Sequence, residues 1–164
     1  MASPLPSSSS VGLSPQPRTS SRAQHAPPMS NRKPVVLIAD DVQDARDIYA
    51  ACLEAKGFRA IKAHDGEEAV GLTVSLRPDV VVMDLAMPRL DGVAATRRLK
   101  NDPRTQRIPI ILLTGYAERA IRDGALEAGV TVFLTKPCLP EDLEAAVRRL
   151  IPRPDPPDRP TDRS

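Results

Sequence analysis

From Val35 onward, short apolar runs alternate with longer stretches of helical periodicity. The runs at residues 35–39, 60–63, 80–83, 110–113 and 131–134 predict five strands, the first, third and fourth being continuous in Val, Ile and Leu but for an end residue. Apolar positions at helical spacing predict helices at about 43–56, 66–76, 91–101, 117–128 and 140–150. The first, third and fourth runs have no polar alternation, so they are expected inside a sheet covered on both faces. This β/α alternation predicts one α/β domain, a doubly wound five-stranded parallel sheet with five helices. Local signals mark the helix ends. Gly57 is placed to terminate the first helix, and Asp65-Gly66-Glu67-Glu68 resembles a capping box in which Glu68 reaches back. Pro78 and Pro103 stop the second and third helices, and Pro140 fits a first helical turn.

The two ends read differently. Residues 1–33 are rich in Pro and Ser and too poor in apolar residues to offset ordering entropy, which predicts a disordered tail, with a second Pro-rich tail at 152–164. Met29 immediately precedes the folded region, and two readings of residues 1–28 stay open, translation from Met29 or a flexible arm. The Arg/Ser-rich, acid-free leader has the composition of an organellar transit peptide, but its prolines oppose an amphipathic helix. The expected domain is residues 34–151.

Composition narrows the classes. Aromatics are only 2%, so the core must be built from Val, Leu, Ile and Ala. The net charge of +2 arises in the N-terminal tail, since residues 34–151 hold 16 basic and 18 acidic groups; the basic balance is no argument for nucleic-acid binding. Cys52 and Cys138 have no partner at metal-ligand spacing, and Cys52 falls on the apolar face of the first helix, where a core role is expected. A reducing cytoplasm fits, and no apolar run approaches the roughly 20 residues of a membrane span.

Ligands of a doubly wound sheet bind beyond the carboxyl ends of its strands. There the chain places Asp40-Asp41 after the first strand, Asp84 after the third, Thr114-Gly115 after the fourth and Lys136-Pro137 shortly after the fifth, with His64 and Asp65 more peripheral. Taken singly, each has an ordinary structural reading as helix cap, turn residue or solvated lysine. Three carboxylates in one cleft repel, and a hard cation resolves that repulsion. With no His or thiolate among them, they suit Mg2+. Asp40 and Asp41 would be ligands, and Asp84 both ligand and nucleophile. Lys136 and Thr114 would contact a transferring phosphoryl group. Arg97, Arg98, Lys100, Arg104 and Arg107 form a basic cluster best read as a solvated face.

Four segments carry a family resemblance: Val36-Leu37-Ile38-Ala39-Asp40-Asp41; Val82-Met83-Asp84-Leu85-Ala86-Met87-Pro88 with Leu90-Asp91-Gly92; Leu113-Thr114-Gly115; and Phe133-Leu134-Thr135-Lys136-Pro137. Spacings of 43, 30 and 22 separate Asp41, Asp84, Thr114 and Lys136. The chain resembles a response-regulator receiver domain of two-component signalling, over residues 34–151. The resemblance implies a flavodoxin-like fold and phosphorylation of Asp84 by a sensor histidine kinase or histidine phosphotransfer protein. It implies Mg2+ on Asp40, Asp41, Asp84 and the carbonyl of Ala86, Lys136 on the acyl phosphate, and a cis bond before Pro137. Thr114 and Phe133 would be the switch residues, Phe133 turning inward when Thr114 moves to the phosphate. Phe133 stands where many members have Tyr, so no output bond comes from a hydroxyl. Ala86 and Tyr116 lie where access of hydrolytic water is controlled, and they imply slow self-dephosphorylation.

Neither His25 nor His64 resembles a phosphorelay histidine. The short Pro-rich segment after Ile151 predicts a stand-alone domain with no DNA-binding domain, acting on a protein partner in trans or relaying phosphate. Phosphorylation-dependent homodimerisation through the fourth-helix face is left open. Two other classes are weighed: a Mg2+-dependent phosphatase with Asp84 as nucleophile, opposed by Ala86 where a second acid would stand, and a phosphorylation-independent docking module. A nucleotide-binding loop is absent after the first strand.

Overall fold

The computed structural model describes residues 32–116 and 118–151, together with Pro4. Of the tail expected at 1–33, residues 1–3 and 5–31 lie outside the described residues, as do the tail expected at 152–164, the start at Met29, the transit-peptide reading and His25. The elements run β1 (Val35–Ala39), α1 (Gln43–Ala55), β2 (Arg59–Ala63), α2 (Gly66–Leu76), β3 (Val80–Asp84), α3 (Gly92–Asn101), β4 (Ile110–Thr114), α4 (Arg119–Ala128), β5 (Val132–Thr135) and α5 (Pro140–Leu150). All pairings are parallel and the strand order is β2-β1-β3-β4-β5. The expected interior strands β1, β3 and β4 are interior, and each is buried along its whole length.

Because successive side chains point to opposite faces, the sheet divides its apolar residues between two layers. Val36, Ile38, Val80, Val82, Ile111 and Leu113 pack with Tyr49, Leu53, Leu143 and Val147 of α1 and α5. Leu37, Val81, Met83, Ile110 and Leu112 pack with Ala69, Ala95, Leu99 and Ala125 of α2, α3 and α4. Cys52 departs from expectation: it is half-buried and outside this core.

Some boundaries move by one residue for local reasons. At β5 the Thr131 hydroxyl oxygen accepts the amide of Ile110 at 3.1 Å, so a side chain stands in for a ladder partner and the strand starts at Val132. β3 and β4 each extend one residue beyond expectation, so Asp84 and Thr114 terminate strands instead of following them. At α2, Asp65 accepts the amide of Glu68 at 2.8 Å as expected, but Glu68 reaches one residue further back, to the amide of His64 at 2.8 Å.

The order reverses between β1 and β3, whose carboxyl ends lie side by side: Ala39 is paired with Met83, one residue before Asp40 and Asp84. The following loop is held against that edge. Leu85 N–H donates to Leu113 O at 2.8 Å, and Gly92 N–H donates to Leu85 O at 2.9 Å. Gly92 has no room for a Cβ, which would overlap the Asp84 carbonyl oxygen and lie 2.8 Å from Leu112 Cδ1. Gly66 meets the Leu90 carbonyl in the same way, so α2 backs the loop from behind.

Candidate functional site

The carboxyl edge brings together the residues read from the strand ends. Asp40, Asp41 and Asp84 each offer a carboxylate oxygen within 4.8 Å of the other two. Asp40 is 1% exposed and Asp84 6%, whereas Asp41 faces solvent. Lys136, immediately after β5, places Nζ 3.1 Å from Asp40 Oδ2 and 3.3 Å from Asp84 Oδ2. The Lys136–Pro137 peptide bond is cis.

Backbone contacts hold these groups. Asp40 Oδ1 accepts the amide of Val42 at 2.9 Å, turning the chain into α1, and Arg46 Nη1 donates to the Asp40 carbonyl at 2.7 Å. Lys136 N–H donates to Thr114 O at 2.7 Å, which fixes the base of the lysine against β4. Arg46 was not legible as a site residue, because a single arginine in an amphipathic helix carries no signal of its own.

Burial raises the pKa of Asp84, and the Asp40 charge adds to the rise; Lys136 and the Ala86 backbone oppose it without cancelling it. Burial also works against the Lys136 charge, but the two carboxylates outweigh it and hold the ammonium above its ordinary value. The site thus carries more negative charge than one ammonium balances. A donor set of three carboxylates without His or Cys fits a hard divalent cation such as Mg2+.

The remaining predicted residues lie around this core. Thr114 is fully buried; its hydroxyl accepts the amide of Tyr116 at 3.0 Å and donates to the Tyr116 carbonyl at 3.4 Å, so it is engaged by its own loop. Tyr116 is 58% exposed, and Ala86 lies exposed two residues beyond Asp84. Phe133 is half-buried on the α2/α3/α4 side of the sheet, with Arg122 Cζ 5.6 Å from its ring centroid. His64 is peripheral, exposed and paired with Asp65 at 3.2 Å and with Glu68. The basic cluster is not uniformly solvated. Lys100 is half-buried, its Nζ donating to the carbonyls of Ile108 at 2.8 Å and Gln106 at 3.1 Å, and Arg98 pairs with Glu67 at 2.9 Å.

The model of the response regulator receiver domain matches residues 36–148. The chain belongs to this family. Receiver domains are signalling domains, and the fold is the flavodoxin-like one of the family. The phosphate regulon transcriptional regulatory protein PhoB of Pseudomonas aeruginosa is 34% identical over 123 residues, which is 75% of this chain and 54% of PhoB. The chain spans about half the length of the curated relatives it matches first. The chemotaxis protein CheY4 of Vibrio cholerae superposes with a TM-score of 0.70 at 27% identity, over 73% of this chain and all of CheY4. A sensor histidine kinase receiver domain from Pseudomonas aeruginosa, with a magnesium ion coordinated in its active site cleft, matches with a TM-score of 0.67 at 31% identity, covering 73% of this chain and 98% of that one. Among the described residues, no helix of this receiver domain is long and apolar enough to cross a membrane.

Proposed function

We propose that the protein is a phospho-accepting switch of a two-component system, with Asp84 taking a phosphoryl group from the phosphohistidine of a sensor histidine kinase or histidine phosphotransfer protein. The observation that carries this reading is a buried carboxylate at the end of β3, held 3.3 Å from an ammonium and flanked by two further carboxylates. An Asp84 oxygen attacks phosphorus and the P–N bond breaks. The nitrogen keeps the bonding pair and takes up a proton from solvent, so the donor returns as a neutral imidazole. Lys136 already touches Asp84, so it needs only to pass to a phosphoryl oxygen as charge collects there. Asp40, Asp41, Asp84 and the Ala86 carbonyl would hold Mg2+, which when bound neutralises phosphoryl charge.

Thr114 supplies the link to the surface. For its hydroxyl to donate to a phosphoryl oxygen it must leave the Tyr116 carbonyl, so phosphate binding releases a contact of the β4–α4 loop. Phe133 then repacks inward from its half-buried position, changing the face formed by α4, β5 and α5. That face acts on a protein partner in the cytoplasm, or the phosphate is passed onward. The domain catalyses its own phosphotransfer and dephosphorylation.

The test is intact-protein mass spectrometry after incubation with acetyl phosphate and Mg2+. A metal-dependent gain of about 80 Da that is labile at alkaline pH and absent in Asp84→Asn is expected for an acyl phosphate. No adduct, combined with no Mg2+-dependent conformational response to beryllium fluoride, would overturn this reading in favour of a docking module.

A further inference from the structure

Tyr49 lies in α1 with its ring buried among Leu53, Leu143 and Val147. A phenol placed there is costly unless its hydroxyl finds a partner. It does so across 89 positions of sequence, donating to the carbonyl of Cys138 at 3.0 Å. Cys138 lies two residues beyond Lys136, on the loop from β5 to α5.

Among the described residues, the backbone hydrogen bonds of that loop otherwise lie only at its ends, while the Cys138 side chain packs against the α1/α5 core. Lys136 N–H is bonded to Thr114 O, and the next backbone bonds belong to α5, from the amides of Asp142 and Leu143 to Leu139 O. Pro137 between them has no N–H to offer. The Cys138 thiol, 3.6 Å from Leu139 O, contacts its own loop. Tyr49 therefore supplies the hydrogen bond that fixes the backbone of this segment to the core. Burial, with the Cys138, Asp40 and Asp84 charges, holds the phenol above its ordinary value of 10 against the opposing influence of Lys136, so it remains a donor.

We infer that Tyr49 is a positioning residue: by fixing the Cys138 carbonyl, its hydroxyl holds the turn from which Lys136 Nζ reaches Asp40 and Asp84. The inference rests on the reading of Lys136 as the phosphoryl-contacting ammonium. Tyr49→Phe isolates the effect, because the ring and its burial are kept and only the tie is lost.

Three measurements test it. In metal-free, 15N-labelled protein, the Lys136 Nζ resonance, assigned by its loss in Lys136→Ala, should shift or broaden in Tyr49→Phe as the ammonium leaves its two carboxylates. At saturating acetyl phosphate and Mg2+, the phosphorylation rate constant should fall about three- to tenfold, the worth of one hydrogen bond, with the half-saturating concentration little changed. In a Lys136→Ala background the same substitution should cost nothing further, since a residue acting through Lys136 loses its effect with it. An unchanged Nζ resonance and rate, even with a lowered melting temperature, would reduce the hydroxyl to a structural staple and overturn the inference. So would an equal fold-loss in both backgrounds. If the native protein takes no phosphoryl group, the reading of the site fails separately, and the Lys136 Nζ comparison still decides the role of Tyr49.

Discussion

Lys136 and Asp40, 96 positions apart, meet at the carboxyl edge of the sheet with Nζ 3.1 Å from Oδ2. The same ammonium stands 3.3 Å from Asp84. The resting site is thus held together by a cation that the proposed chemistry later redirects, and its removal should be felt in stability as well as in activity.

Lys136→Ala leaves two buried carboxylates without their ammonium. Lys136 is itself 28% exposed, so the loss should be roughly 1–2 kcal/mol, between the near-zero worth of a surface pair and the 3–5 kcal/mol of a fully buried one. Urea unfolding in metal-free buffer measures it, and saturating Mg2+ should narrow the gap.

Asp84→Asn should be more stable than the native protein at neutral pH. The folded pKa of Asp84 lies above 3.8, first because of burial and then because of Asp40, so the folded state keeps a proton that the unfolded state has lost. This group's contribution to stability therefore falls as pH rises from 3.8 through the folded value. Melting temperatures of the two proteins should converge as pH is lowered toward 3.8 and separate above it.

Mg2+ should raise the melting temperature by mass action, the gain in stability being about 2.7 kcal/mol at one hundred times its dissociation constant. Asp40→Asn and Asp41→Asn should each weaken this gain, Asp40 being buried in the cluster and Asp41 on its solvent side. A melting temperature that ignores Mg2+ would remove the metal from the proposed site.

Gly92→Ala should destabilise by about 1–3 kcal/mol, because the added methyl overlaps the Asp84 carbonyl and crowds Leu112. Gly71→Ala, in mid-α2 with nothing within 4 Å of the added atom, should instead stabilise by about 0.5–1 kcal/mol through helix propensity. Opposite signs from the same substitution, read in one denaturation series, check the close approach behind the Asp84 loop.

Replacing Ala86 by Asn and Tyr116 by Glu should shorten the life of the phosphorylated state. Ala86 cannot orient water, and Tyr116 presents an exposed ring at the rim of the site. Decay of the 80 Da adduct expected for an acyl phosphate, roughly that mass, followed in both proteins, gives the comparison. Equal lifetimes would make both positions ordinary rim residues.

Much of this site could be read before any fold was seen, because its residues are tied to strand ends. Asp40-Asp41, Asp84 and Thr114 each follow or close an unbroken apolar run, Lys136 stands shortly after another, and a parallel sheet brings such ends to one edge. Neither Tyr49 nor Arg46 was legible as a site residue. Their partners are backbone carbonyls of Cys138 and Asp40, and a carbonyl has no sequence signature.

The chain's own pattern of apolar runs and polar strand ends determined the α/β alternation, the interior places of β1, β3 and β4, and the set of acidic and basic groups at the site. These follow from local periodicity and from which residues tolerate burial on two faces. Tertiary structure alone decided that Lys136 pairs with both Asp40 and Asp84, that the Thr114 hydroxyl is occupied by Tyr116, that Gly92 abuts the Asp84 carbonyl, and that Tyr49 ties down the loop after Lys136. Each is a contact of a few ångströms, most of them between distant segments and all set by the packing around them, and periodicity carries no information at that distance.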